Sequence, residues 1–410
     1  NLRLLDAGPN YIEVQTESGG HYTYLFESIK EIRVQEGQEI VKRWRPPKEL
    51  ALPPSHQQVV DRAIQRAQEL FLSGEADPTL KLDAAVLLVI GGQPDQQEAA
   101  LQYVQQLHGS PGLAIALFAA YRSYLAGKGD VINRETLEQA LTSGNLEFRS
   151  HGATLAGLLR YEPAESYLMT MLQDRREEVA VPAVYALARL GNREIIPTLF
   201  AMVSDLDMAK GEAAVFALER LADAKTTEEL RLLLPASEGM TRYRLARLLH
   251  ALGEPQTMHT LREEVLDVPT LRVYVALILA GEGDPKAMAI LRERLSRRYD
   301  EVERSLLLRA YMAAALVEGG DRTAVPILQE LLRKESPVVQ ERVCQLIATI
   351  GAPQLTPILQ PAIENQDARV ALAACQAALA IASPELGQRF RELWLPEQWP
   401  AELWVLIGST

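Results

Sequence analysis

From residue 56 to residue 392 the apolar positions recur at helical spacing, and the helical segments come in pairs. The stretch PAVYALARLGNREIIPTLFAMVSD, residues 182–205, is representative: an apolar helix pattern, a Gly, a short polar turn, a Pro and a second apolar pattern. The first helix is apolar on nearly every side, with Val184, Ala186, Leu187 and Leu190 spread around it. A helix of 11–14 residues is marginal alone in water, so such a helix needs covering by its partner and by a neighbouring pair. Gly191 suits a left-handed helix end, and Pro197, Pro326 and Pro357 suit the first turn of a second helix, where a missing N–H costs least.

The small residue that closes each first helix repeats at a fixed interval. Gly191, Ala222 and Gly253 are 31 apart, as are Gly351 and Ala382. Less regular copies end near Gly91, Gly127, Tyr161, Gly281 or Gly283, and Gly319 or Gly320. A period near 31 with two helices per unit predicts a solenoid of nine or ten stacked pairs. These units resemble HEAT-like repeats of the phycobilisome-lyase type in the alanine run, the Leu-Gly end, the Ile-Pro start of the second helix and the trailing Asp. The resemblance covers residues 75–385. It implies the fold, and leaves the function open among scaffolds, adaptors, bilin-attaching enzymes and a DNA-repair branch.

Residues 1–43 follow another rule. YIEVQT and HYTYLF alternate apolar and polar residues around ESGG, and IKEIRV and QEIVKRW continue the strand-like composition. The expected fold class is therefore mainly α, a HEAT-like α-solenoid preceded by a small all-β module of SH3- or Sm-like type. The expected domains are the β-module at 1–43, a Pro-rich linker at 44–55 (WRPPKELALPPS), the solenoid at 56–392 and a Trp-rich segment at 393–410.

Composition narrows the function. Hydrophobic residues are 48% and charged residues 23% of the chain, enough apolar material for a large core. The net charge of −12 is spread out with no segregated basic block, which argues against nucleic acid and anionic membranes as partners. No run of 18 apolar residues predicts a transmembrane helix. Cys344 and Cys375 stand 31 apart, hence at equivalent places in successive repeats, too far for a disulfide. Low cysteine use favours the cytoplasm. The first residue is Asn1 rather than Met, so an upstream piece is expected and a periplasmic location stays open.

No catalytic motif emerges: no GxSxG, P-loop or dinucleotide fingerprint stands in the required context. His250, Glu254, His259 and Glu263 are the tightest His and Glu grouping, and too few ligands converge there for a metal. The expectation is a non-enzymatic scaffold or adaptor without a cofactor, binding other proteins through a concave face built from the second helices. Arg231, Arg262, Arg292 and Arg294, with Arg297 and Arg298 from the same arginine-rich stretch, are the candidate contacts on that face. Trp394, Trp399 and Trp404 are read as a solenoid cap or a docking segment. A bilin lyase-like enzyme and a DNA-binding HEAT protein are the alternatives.

Overall fold

The computed structural model describes five strand segments between Leu2 and Trp44 and a helical region from Pro54 to Trp394. Within the latter, residues 74–76, 109–111, 130–131, 206, 255–256, 258–265, 267, 269–270, 282 and 297–302 lie outside the description. The chain divides into two compact units, Asn1–Pro53 and Pro54–Thr410.

In the first unit β1 (Leu2–Ala7), β2 (Tyr11–Thr16) and β3 (His21–Leu25) form an antiparallel meander with Leu2 opposite Thr16 and Tyr11 opposite Leu25. β4 (Ile32–Glu36) and β5 (Glu39–Trp44) form a second, separate hairpin. The expected fold class is corrected here. Among the residues whose side chains are described, from His56 onward, there is no strand, and the fold class is mainly α without a small all-β barrel. An SH3- or Sm-like barrel needs one sheet closed on itself, and the described pairings leave two sheets unjoined.

The second unit is a stack of helix pairs. In order these are α1 (Pro54–Leu72) with α2 (Pro78–Gly91), α3 (Pro94–His108) with α4 (Leu113–Leu125), α5 (Arg134–Leu141) with α6 (Leu146–Leu158), and α7 (Glu165–Leu172) with α8 (Glu177–Leu190). Then come α9 (Ile196–Val203) with α10 (Met208–Leu221), α11 (Ala224–Leu233) with α12 (Gly239–Ala251), and α13 (Arg272–Gly281), which follows a largely undescribed stretch. The last are α14 (Pro285–Leu295) with α15 (Glu303–Glu318), α16 (Val325–Lys334) with α17 (Pro337–Ile350), α18 (Gln360–Ile363) with α19 (Ala368–Ala382), and the single helix α20 (Pro384–Trp394).

Local chemistry sets these boundaries. At Gly191 (φ 79°) the Gly191 N–H donates to Ala188 O and the Asn192 N–H to Leu187 O, a left-handed helix end that satisfies two terminal carbonyls. The next residue then starts the following helix: the Asn192 side chain accepts from the Glu194 N–H. Asp223, Asp284 and Asp321 cap in the same way after their own helix ends. Pro197 and Pro326 fall in the first turn of α9 and α16. Pro357 instead lies inside a 3-10 segment, Pro353–Leu359, that precedes α18.

The second helix of each pair (α2, α4, α6, α8, α10, α12) and then α13, α15, α17 and α19 pack side by side along the stack. The alternate helices pack chiefly on these. In a curved two-layer stack the helices on the shorter radius lie closer together, so the α2-to-α19 series is the inner layer. Its Val184, Ala186, Leu187, Ala214 and Leu249 are fully buried. Each buried Leu stabilises by about 2 kcal/mol relative to exposure.

The two ends of this unit meet. α1 packs on α19 and on the Pro353–Leu359 segment as well as on α2, and α2 packs on α19. Arg62 clamps Glu364 with two bonds, Nε to Oε1 at 2.5 Å and Nη2 to Oε2 at 2.8 Å. Phe71 of α1 meets Tyr103 of α3 edge-to-face at 5.6 Å, so the outer layer continues past the junction. Across the inner side of this seam lies α20. Its Leu386 and Phe390 are buried, while Arg389 donates to Leu125 O of α4 and Arg391 to Thr349 O of α17, both at 3.4 Å. Arginines on helix C-terminal carbonyls offset the negative end of the helix dipole. Midway round, Tyr243 of α12 meets Tyr274 of α13 at 5.9 Å.

One buried charge locks α9 to α12. Arg244, fully buried, donates to Val203 O (3.0 Å), Asp205 O (2.6 Å) and Asp207 O (3.2 Å) at the α9–α10 turn, and pairs with buried Glu212. Its guanidinium lies flat on Gly211, where a Cβ would stand 1.9 Å from Arg244 Cζ. Gly211→Ala therefore overpacks a rigid site and is expected to cost about 2–3 kcal/mol. Gly191→Ala, with open space around it, loses only about 1 kcal/mol to left-handed strain. Urea unfolding of the two variants beside the parent checks the ranking.

Candidate functional site: the inner face

The inner layer carries one repeated side-chain register, half-buried except at the fully buried Tyr185. Tyr121, Tyr185, Arg247 and Gln345 each stand six residues before the positive-φ glycine that ends their helix, at 127, 191, 253 and 351. Phe216 stands six before Ala222, the cap of α10. Equal register on parallel helices means one common face. Two concavities lie along it.

The first is an apolar groove of ≈320 Å³ floored by Leu82, Phe118, Tyr121 and Phe148, with Ile115, Glu147 and His151 beside them. Tyr121 and His151 meet edge-to-face at 5.6 Å. The second is a cavity of ≈270 Å³ at the seam, walled by α2, α4, α17, α19 and α20. Its polar lining is Asp83, Arg122, Glu341, Gln345, Arg369 and Gln376. Burial raises the pKa of Asp83 although Arg122 pairs with it, and burial likewise raises that of Glu341 against the pull of Arg369 and Arg342.

Between the two, α8, α10 and α12 present a ladder of aromatic rings and arginines. Tyr185 and Phe216 stack edge-on at 4.8 Å. Arg220 lies 3.6 Å above the Phe216 ring, Arg189 spans both rings, and Arg247 covers Tyr243 at 5.4 Å while pairing with Glu212. Cation–π contacts of this kind pre-order guanidinium groups on a surface.

The sequence-derived candidates fall elsewhere. Arg231, on α11 in the outer layer, is tied to Glu228 and Glu254. Arg292, on outer α14, donates from Nε to Asp321 at 2.6 Å, and Arg294 is half-buried on the same helix. The concave side is thus built from the helices opposite to those expected, since the inner layer is the one that packs side by side. Arg262, Arg297, Arg298, Trp399 and Trp404 lie outside the described residues, as do His259 and Glu263; Trp394 is the last residue of α20, and its side chain is likewise undescribed. Cys344 and Cys375 are buried free thiols, both pushed above the ordinary thiol range by burial. Among the described residues no three His, Cys, Asp or Glu side chains gather as a metal site, and no helix is long and apolar enough to cross a membrane. Sequence reasoning missed Asp83, Glu341 and the ladder, because a carboxylate or aromatic at helical spacing carries no mark of the face it joins.

Comparison with known proteins gives the class. The family model for HEAT repeats matches residues 303–380 and 324–401, within the run from α15 to the end of the chain. With the paired-helix fold this supports a HEAT-like helical repeat protein. Among solved structures, that of human deoxyhypusine hydroxylase in complex with glycerol is similar at 18% identity, over 80% of this chain and 99% of that one, with a TM-score of 0.27. No curated protein matches the sequence.

The N-terminal edge of the inner layer has a titrating pair. Glu177 starts α8 and shares a hydrogen bond with Asp207, the N-cap of α10; this contact, then burial, raises the Glu177 pKa to about 7, while the Asp207 pKa is lowered. A carboxyl pKa raised by folding contributes stability below the unfolded value that is lost as pH climbs through the folded one. The parent is expected to lose melting temperature between pH 5 and pH 8 by about 1–2 °C more than Glu177→Gln, whose amide keeps donating to Asp207. Thermal melts of both proteins across that range measure it.

Proposed function

We propose that the helical unit is a non-enzymatic protein-binding scaffold and that its inner face, not its outer helices, receives the partner. The observation that carries this reading is the row of Arg189, Phe216, Arg220 and Arg247, backed by the buried Tyr185 ring behind Phe216. Aromatic and arginine side chains held in fixed geometry are the residue types that concentrate binding energy at protein interfaces. Their guanidinium groups favour a partner segment bearing carboxylates next to apolar residues, the sign opposite to that of the chain as a whole. The apolar groove near Phe118 and Tyr121 extends the same face with a concave hydrophobic surface. HEAT-like repeats suit such a role because a stack of helix pairs offers one long surface to a binding partner.

The test is cross-linking mass spectrometry on the chain with the proteins it captures, repeated with Phe216→Leu and Arg220→Ser. Cross-links are expected to cluster on α4, α8, α10 and α12, and each substitution is expected to weaken capture about tenfold, roughly 1.4 kcal/mol. Cross-links confined to α11 and α14, around Arg231 and Arg292, or capture unchanged by both substitutions, would overturn the reading. A bilin titration that gives a bound-chromophore spectrum would replace it with a lyase-like activity.

A further inference from the structure

We propose that the seam cavity is a binding site for a small organic cation, an alkylammonium or alkylguanidinium group with a short apolar stem. It lies apart from the ladder, between α2 and α4 from one end of the helical unit and α17, α19 and α20 from the other.

The reason is a local surplus of acceptors. Both guanidinium groups of the lining are already engaged. Arg122 pairs with Asp83 and lies 4.6 Å above the Phe118 ring. Arg369 donates to both carboxylate oxygens of Asp367, at 3.4 and 3.2 Å. Glu341 is different: its hydrogen bond is a long one, 3.4 Å from Gln345 Nε2, and its nearest cations, Arg369 and Arg342, act on it only through space. Gln345 Oε1 is itself buried without a hydrogen-bond partner. A half-buried carboxylate short of donors, beside an amide oxygen in the same condition, is stabilised most by a positive group that brings its own N–H donors. Leu87, Ile90, Leu372 and Phe390 supply apolar lining that takes a hydrocarbon stem. At ≈270 Å³ the space falls just below the usual size of ligand pockets, which selects a small molecule over a folded segment.

Charge linkage supplies an independent signature. The charged groups facing Glu341 are Asp83 from α2, Asp367 and Arg369 from α19, and Arg342 on its own helix; Arg122 of α4 shares the cavity, and Arg389 and Arg391 of α20 are turned to helix carbonyls. Burial raises the Glu341 pKa, so a cation that prefers the ionised form displaces its proton and binds more tightly as pH rises. Because the cavity draws on both ends of the helical unit, an occupant also holds the seam together.

The experiment is a saturation-transfer NMR and thermal-melt titration of the full chain with n-butylammonium chloride, with sodium chloride and sodium butyrate as ionic controls. The expected result is a dissociation constant on the order of 1 mM at pH 8, weaker at pH 5, and a raised melting temperature. Glu341→Gln is expected to weaken binding about tenfold and to reduce the pH dependence, leaving the part due to Asp83. Gln376→Glu, which adds a carboxylate to the lining, is expected to tighten binding, and so keeps the test decisive should the first variant fold poorly. No saturation transfer at tens of millimolar, butyrate binding as tightly as butylammonium, or unchanged affinity in both variants would overturn the proposal.

Discussion

A stack of apolar helices has two end faces, and neither tolerates water. Everything in the helical unit follows from how those faces are covered. In many solenoids a polar helix caps each end. Here α1 and α2 are laid against α19, so the first pair covers the last and the last covers the first. The Arg62–Glu364 clamp is half-exposed and contributes modestly by itself. What it adds is register, since two parallel bonds fix the angle at which α1 meets α19. The apolar area buried beneath it, from Ala63 and Ala67 on α1 to Ala374 and Ala378 on α19, stabilises the junction more than the clamp does.

Closure fixes which helices face inward, and thereby what the inner face displays. Alanines dominate the inner layer (Ala183, Ala186, Ala213, Ala217, Ala374 and Ala377 are wholly buried) because close helix approach leaves no room for larger side chains. The few large side chains left on the inward register have nowhere to pack except against one another. Tyr185, Phe216 and the arginines over them are the outcome. The same crowding explains the charges inside. Arg244 is tolerated at zero exposure because three backbone carbonyls and Glu212 meet its donors. Glu341 has no such set, and its raised pKa records the difference.

Much of this was written in the chain. The helix pairs, their period and their punctuation follow from local rules: a glycine that takes positive φ, an Asn or Asp that caps the next helix, a proline in the first turn. The failures share a cause. Pro357 looks like Pro197 in sequence, yet the Pro353–Leu359 segment winds as a 3-10 helix where α1 packs on it. Arg231 and Arg292 look like groove residues, yet each lies on an outer helix and is held by a carboxylate of a neighbouring turn, Glu254 and Asp321. Strand-like alternation near the N-terminus pointed to a small all-β module, yet the fold is mainly α with no strand among the residues whose side chains are described, and alternation says nothing about whether a sheet closes.

The sequence by itself therefore determined the repeat unit, because helix propensity, caps and amphipathic period act over a few residues. Only the tertiary structure decided the curvature, the meeting of the ends and the membership of the inner face. Those depend on contacts between residues about 300 positions apart, such as Arg62 with Glu364, whose pairing no local pattern encodes.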